Sequence, residues 1–121
     1  MVCQVGIAQQ AVAAVLRHAD AGRDVAAATL VLQHRCEHIL EQLADYPCIR
    51  PDGGWSLLID CASIGLTSAQ ASQRLFTQGE IAATPMTGWG RSGERYIRLV
   101  FANEPIERLG DLRTRFDVAL A

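Results

Sequence analysis

The six residues Tyr96-Ile97-Arg98-Leu99-Val100-Phe101 constrain the fold more than any other stretch of the chain. Aromatic and β-branched side chains pack well on a pleated surface, so the stretch predicts a strand. Successive side chains of a strand point to opposite faces. Ile97, Leu99 and Phe101 therefore form one wholly apolar face that must meet a core, and Tyr96, Arg98 and Val100 form the other. The second face carries a guanidinium that keeps its charge and offers a planar fork of donors suited to a carboxylate. A sheet covered on one side and open on the other would leave that fork facing an anion. The plainer alternatives for Arg98 are a solvated side chain or a structural salt bridge.

The rest of the chain supplies the cover. Residues from Val5 to about Ala19 predict an alanine-rich helix that is apolar on nearly every side (Ile7, Val12, Val15, Leu16), with Gly22 as its stop. A longer helix is predicted from about Asp24 to Asp45, with Val25, Ala28, Leu32, Cys36, Ile39, Leu40 and Leu43 on one stripe. Tyr46-Pro47 ends it, because the residue before proline is pushed out of the helical region. Cys48-Ile49-Arg50 is a short extended piece and Pro51-Asp52-Gly53-Gly54 a turn. Trp55 to Cys61 is a strand whose Leu57-Leu58-Ile59 run is apolar on both faces, as in the centre of a sheet. Thr67 and Gln70 form a capping box for a helix to about Gln78, closed by Gly79. Glu80 to Thr84 is a short strand stopped by Pro85. Asn103 is the expected cap of a last helix, with Glu104 and Glu107 against its dipole and Ile106, Leu109, Leu112, Phe116 and Leu120 buried. The order predicts an α+β two-layer sandwich: a small mixed or antiparallel sheet with helices on one face, and residues 1–121 as a single domain.

Composition removes several function classes. A formal charge of −2 makes no electrostatic case for nucleic acid or an anionic membrane surface. No apolar run approaches the length of a bilayer span, and the amino terminus lacks a basic-then-apolar leader pattern. Cys3, Cys36, Cys48 and Cys61 have no Cys-x-x-Cys spacing, which argues against a disulfide scaffold or a zinc site and fits a reducing cytoplasm. All eleven basic residues are arginines, so no side chain of this polypeptide carries a lysine amine.

Two patterns invite a different chemistry. Gly88-Trp89-Gly90-Arg91-Ser92-Gly93 matches the G-x-G-x-x-G fingerprint, but that fingerprint must open a helix whose amino terminus receives a pyrophosphate. Here the glycines lead into a strand, so a jointed loop is the better reading. His34-Arg35-Cys36-Glu37-His38 matches the H-x-x-E-H order of inverted zinc peptidases, with both histidines on one helix face. Nothing positions His18, Glu41 or Asp45 as a third ligand, and a solvated helix face explains the pair equally well. Cys61 has no base paired with it and reads as a buried thiol. Trp55 and Trp89 read first as packing residues.

The ordered motifs Gly53-Gly54-Trp55 with its following strand, Pro85-Met86-Thr87-Gly88-Trp89-Gly90, and Tyr96-Ile97-Arg98-Leu99-Val100-Phe101-Ala102 resemble the carboxy-terminal small domain of fold-type I pyridoxal-phosphate-dependent aminotransferases of the aspartate aminotransferase type. The resemblance runs from about Ile7 to Leu120. In that family a Pro-Gly-x-x-Phe-Gly-like loop precedes a Tyr-x-Arg-Leu-x-Phe-Ala strand, and here Met86 stands at a position that is usually glycine. The Arg-Arg-Asp-like segment of the family's long helix, here Arg35-Cys36-Glu37, has no metal role.

The resemblance implies that Arg98 binds the substrate α-carboxylate, with Trp89 and Tyr96 on the substrate side. It also implies amino-group transfer between an amino acid and a 2-oxo acid, pyridoxal phosphate in the whole enzyme, and a first helix that lies against a large domain. Such enzymes hold the cofactor through a lysine amine. A chain without lysine is expected to bind no cofactor and to be inactive alone, and its exposed apolar surface to favour self-association. The competing expectation is a stand-alone α+β binding or interaction domain, which would bury the first helix and Trp89 within its own fold.

Overall fold

The computed structural model describes residues 6–120. The chain divides after Val31 into two units. In the first, helix α1 (Gly6–Arg17) and the opening turns of helix α2 (Ala21–Gln42) are separated by a turn at His18–Asp20. Gly22 does not stop α1 and instead sits in the first turn of α2. The break comes earlier, where the amide of Ala21 donates to the His18 carbonyl (3.1 Å) and Asp20 pairs with Arg23 (3.0 Å). Helix α1 buries none of its residues, and Ile7 is 88% exposed.

In the second unit the sheet is antiparallel, in the order β1 (Cys48–Ile49), β2 (Ser56–Asp60), β4 (Tyr96–Val100), β3 (Thr84–Pro85). Its two central strands alternate as their sequences require. Leu57 and Ile59 of β2 lie opposite Leu99 and Ile97 of β4, and all four are buried. Helix α3 (Ser68–Gln78), helix α4 (Leu112–Leu120) and the last turns of α2 cover that face. Ile39, Leu43, Ala71, Leu75, Phe101, Phe116 and Ala119 fill the space between the layers. This is the expected α+β two-layer arrangement, and the short piece at Cys48 proves to be a paired strand.

The caps explain where elements begin and end. Thr67 accepts from the Gln70 amide (3.2 Å) while the Gln70 side chain accepts from the Thr67 amide (3.0 Å), closing the capping box of α3. At its other end Gly79 donates to the Leu75 carbonyl, and Arg115 of α4 donates to the Gly79 carbonyl at 2.7 Å. A Cβ on Gly79 would lie 3.0 Å from that Arg115 main-chain oxygen, so the two helices approach closely only because the residue is glycine.

Two expectations fail here. Residues 80–83 do not form a strand, because Glu80 takes a left-handed φ of 52° and the Ile81 amide turns back to the Leu75 carbonyl (2.9 Å). The strand is Thr84–Pro85, where a proline is tolerated at the sheet edge. Likewise Asn103 does not cap the last helix. Pro105 precedes a short 3-10 turn (Ile106–Leu109), and α4 begins only at Leu112.

Burial also raises the proton affinities of Cys36, Cys48, Cys61 and Tyr46. Burial pushes the thiols of Cys48 and Cys61 up to about 11 from 9.0. Burial, and then the hydrogen bond Tyr46 donates to Asp117 (2.7 Å), push its phenol up to about 12 from 10.0. Cys61 is thus an unreactive core thiol. The folded state favours the protonated form of each group, so their contribution is complete below pH 9.0 and is lost as pH rises through 11 and 12. Urea midpoints are expected to fall steadily over that window. Tyr46→Phe should flatten the part of the fall above pH 10.0 and leave the earlier part. A midpoint constant from pH 8 to 12 would contradict this.

Candidate functional site

The uncovered face of the sheet is organised around Arg98. Register places Ile49, Leu58, Arg98 and Thr84 in one row across the four strands. Tyr96 and Val100 flank Arg98 along β4 on the same side. Immediate neighbours in this row and along the strand are thus apolar, aromatic or hydroxyl, and none is acidic. Among the described residues Arg98 makes no ion pair, and its Nε is buried without a hydrogen-bond partner. Its guanidinium instead rests on the indole of Trp89, with Cζ 5.3 Å from the ring centroid. A cation over an aromatic face is stabilised by the ring quadrupole.

The loop before β4 places that indole. Gly88 and Gly90 flank Trp89 at φ of 81° and 91°, where glycine alone is unstrained. The Trp89 amide donates to the Met86 carbonyl (3.1 Å), and the Met86 amide donates to the Tyr96 carbonyl (3.0 Å), tying the loop to the strand. Met86 takes an ordinary negative φ, so a side chain is accommodated at that position. Gly93 is buried against the same carbonyl: a Cβ there would lie 2.4 Å from the Met86 oxygen. The segment after the glycines is a short 3-10 turn (Arg91–Arg95) that runs directly into β4.

An adjacent pair was not foreseen from sequence. Arg95 holds Asp60 with two hydrogen bonds, from Nε at 3.0 Å and from a terminal nitrogen, and its guanidinium lies 5.5 Å from the Tyr96 ring centroid. The Arg95 hydrogen bonds keep the Asp60 carboxyl below its usual range. Asp60, on the same face of β2 as Leu58, is therefore already paired with another arginine. The pairing of Asp60 with Tyr96 in the register brings the two charges together across 35 residues of sequence. Only the residue order at two strand ends hinted at it.

The other candidates separate from this site. His34 is exposed and His38 half-buried on α2, and among the described residues no three His, Cys, Asp or Glu side chains cluster as a metal site. Trp55 is exposed beside β2, and its carbonyl accepts from the Phe101 amide (3.0 Å), extending the ladder. Among the described residues no helix is long and apolar enough to cross a membrane.

The helix-backed antiparallel sheet displays an arginine on its open side next to a Gly-aromatic-Gly loop, and comparisons with known proteins find this fold in aminotransferases. The chain is 25% identical over 120 residues to an aspartate aminotransferase of Pyrococcus abyssi, covering 98% of this chain and 31% of that protein. Its fold matches an aromatic aminotransferase from Pyrococcus horikoshii with a TM-score of 0.82 at 24% identity, over 95% of this chain and 31% of the other. It also matches the Thermus thermophilus aspartate aminotransferase solved with maleate, with a TM-score of 0.77 at 28% identity over 91% of this chain and 28% of that one.

No protein-family model matches. The chain is thus similar, over nearly its whole length, to the aspartate and aromatic aminotransferases, mostly at their C-terminal end, and spans less than a third of the curated relatives it matches. The residues of this chain do not fit covalent attachment of pyridoxal phosphate, since no lysine is present.

Proposed function

We propose that this chain is the small-domain part of a pyridoxal-phosphate-dependent aminotransferase, acting on an amino acid and a 2-oxo acid, and that Arg98 binds the substrate α-carboxylate. The observation that carries the reading is a guanidinium on the open sheet face with no acidic partner among the described residues and an indole beside it. A bidentate pair with a carboxylate would satisfy it, hold the substrate in one orientation and leave its reacting carbon to the partner domain. Trp89 and Tyr96 form the wall beside that carboxylate.

The cofactor supplies the electron sink of the reaction, and the lysine that anchors it belongs to a large domain, in the same or another polypeptide. The exposed apolar surface of Trp89 supports this reading over a stand-alone domain, because a self-sufficient fold would bury it. In the absence of that large domain the same surface would drive self-association. The partners are small carboxylates, with neither nucleic acid nor membrane among them, and the setting is cytoplasmic.

Two measurements test the reading. Maleate titrated into the full chain should shift the Arg98 side-chain resonances, and Arg98→Gln should weaken the binding by about tenfold or more. Equal binding by Arg98→Gln would overturn the role of Arg98. This chain alone should show no transaminase turnover and no absorbance band from bound pyridoxal phosphate, and either signal would refute its dependence on a large domain.

A further inference from the structure

The segment between α3 and β3 leaves a hollow at the edge of the sheet. The β3–β4 ladder ends where Thr84 faces Arg98, and the residues before it are held to α3 instead. The Ile81 amide donates to the Leu75 carbonyl (2.9 Å), and the Ser72 hydroxyl donates to the Ala83 carbonyl (2.7 Å). Beside the end of β4 lies a cavity of about 140 Å³. Its floor is Ile39, Ile81, Leu99, Leu109 and Leu112, all buried. Leu99 and Arg98 point to opposite sides of β4, so this floor is on the covered side of the sheet, away from Arg98.

The charged side chains in the lining are Glu80, Glu104, Arg108 and Arg115. Arg108 pairs with Glu104 (3.3 Å). Arg115 is engaged by the Gly79 and Glu80 carbonyls (2.7 and 2.5 Å) and lies 3.9 Å from Asp111. Among the described residues nothing pairs with the Glu80 carboxylate. Glu80 is also the one residue other than glycine with a positive φ among them, at 52°. A left-handed position just past a helix is ordinarily given to glycine. The chain therefore holds a strained residue whose side chain is the unpaired carboxylate of the rim.

We propose that this cavity binds small primary amines with a compact apolar body, the body on the aliphatic floor and the ammonium paired with Glu80. An apolar cavity of roughly 150 Å³ admits benzene, so a single ring matches the space. Burial takes the ring out of water while the ammonium keeps its donors at the rim for the carboxylate. A carboxylate in the same place would meet Glu80 as a like charge, and an alcohol would leave its charge unpaired. The site is independent of the role proposed for Arg98.

The test titrates benzylamine, benzyl alcohol and benzoate into the full chain and follows the methyl NMR signals of Ile39, Leu99 and Leu112. Benzylamine is expected to bind about fivefold more tightly than benzyl alcohol, with benzoate the weakest at these signals. Glu80→Gln should bring benzylamine within about twofold of the alcohol and leave the alcohol unchanged. Ala82→Leu, at an exposed position in the lining, should weaken both by filling the space. Glu80→Gly relieves the left-handed φ, so it should abolish the preference without lowering the urea midpoint. Signals that stay still with benzylamine, or that respond equally in Ala82→Leu, overturn the site. A preference that survives Glu80→Gln, tighter binding of benzoate, or a midpoint that falls in Glu80→Gly overturns the role of Glu80.

Discussion

Phe116→Ala is expected to lower the stability of the Leu32–Ala121 unit by about 3–5 kcal/mol. The Phe116 side chain is fully buried on α4, and its ring meets Tyr46 edge-on at 5.3 Å and 69°. Truncation removes that contact and leaves a void that helix and sheet backbones cannot close without breaking their own ladders. Domains of this size are stable by about 5–15 kcal/mol in total, so the variant should be close to unfolding at body temperature. Urea denaturation followed by circular dichroism gives the number. A loss under about 1 kcal/mol would mean that the layers are not packed as described. Phe116→Leu, which restores most of the volume, should recover more than half of the loss.

Gly93→Ala is expected to cost about 1–3 kcal/mol and, with it, the position of Trp89. The added methyl would meet a main-chain oxygen, Met86 O at 2.4 Å, as well as the Trp89 Cβ at 3.3 Å. A flexible side chain could step aside from such a contact, but this oxygen accepts the hydrogen bond from the Trp89 amide and cannot move without releasing the loop. The variant should therefore change the Trp89 environment and weaken carboxylate binding even though it touches neither ligand nor Arg98. Gly53→Ala, with no atom within 4 Å of its added methyl, is the control and should be near neutral. Tryptophan fluorescence of the two variants in a Trp55→Phe background compares them directly, and matching spectra and midpoints would show that the loop does not depend on Gly93.

The elements that sequence located well are those whose determinants are local. The capping box at Thr67 and Gln70 and the alternation along Tyr96–Val100 each depend on residues a few positions apart, whereas the long helix expected to run to Asp45 stops at Gln42. One misplaced boundary is decided by a distant group. Arg115 holds the Gly79 carbonyl from 36 residues away, and residues 80–83 turn back on α3 where their composition reads as a strand. The last helix starts late because Pro105 opens a 3-10 turn first, a choice that the run of acidic residues near it concealed.

By itself the amino-acid order determined the covered and open faces of the sheet, the charge on the open one and the absence of a lysine amine. Period-two alternation and side-chain chemistry are properties of single residues and their immediate neighbours. Which groups share that open face was decided only by the tertiary structure. Strand register set Leu58 and Thr84 beside Arg98, loop closure set Trp89 beneath it, and Arg95 took Asp60 out of reach. Such pairings are long-range contacts whose geometry depends on every turn between them, so no local pattern encodes them.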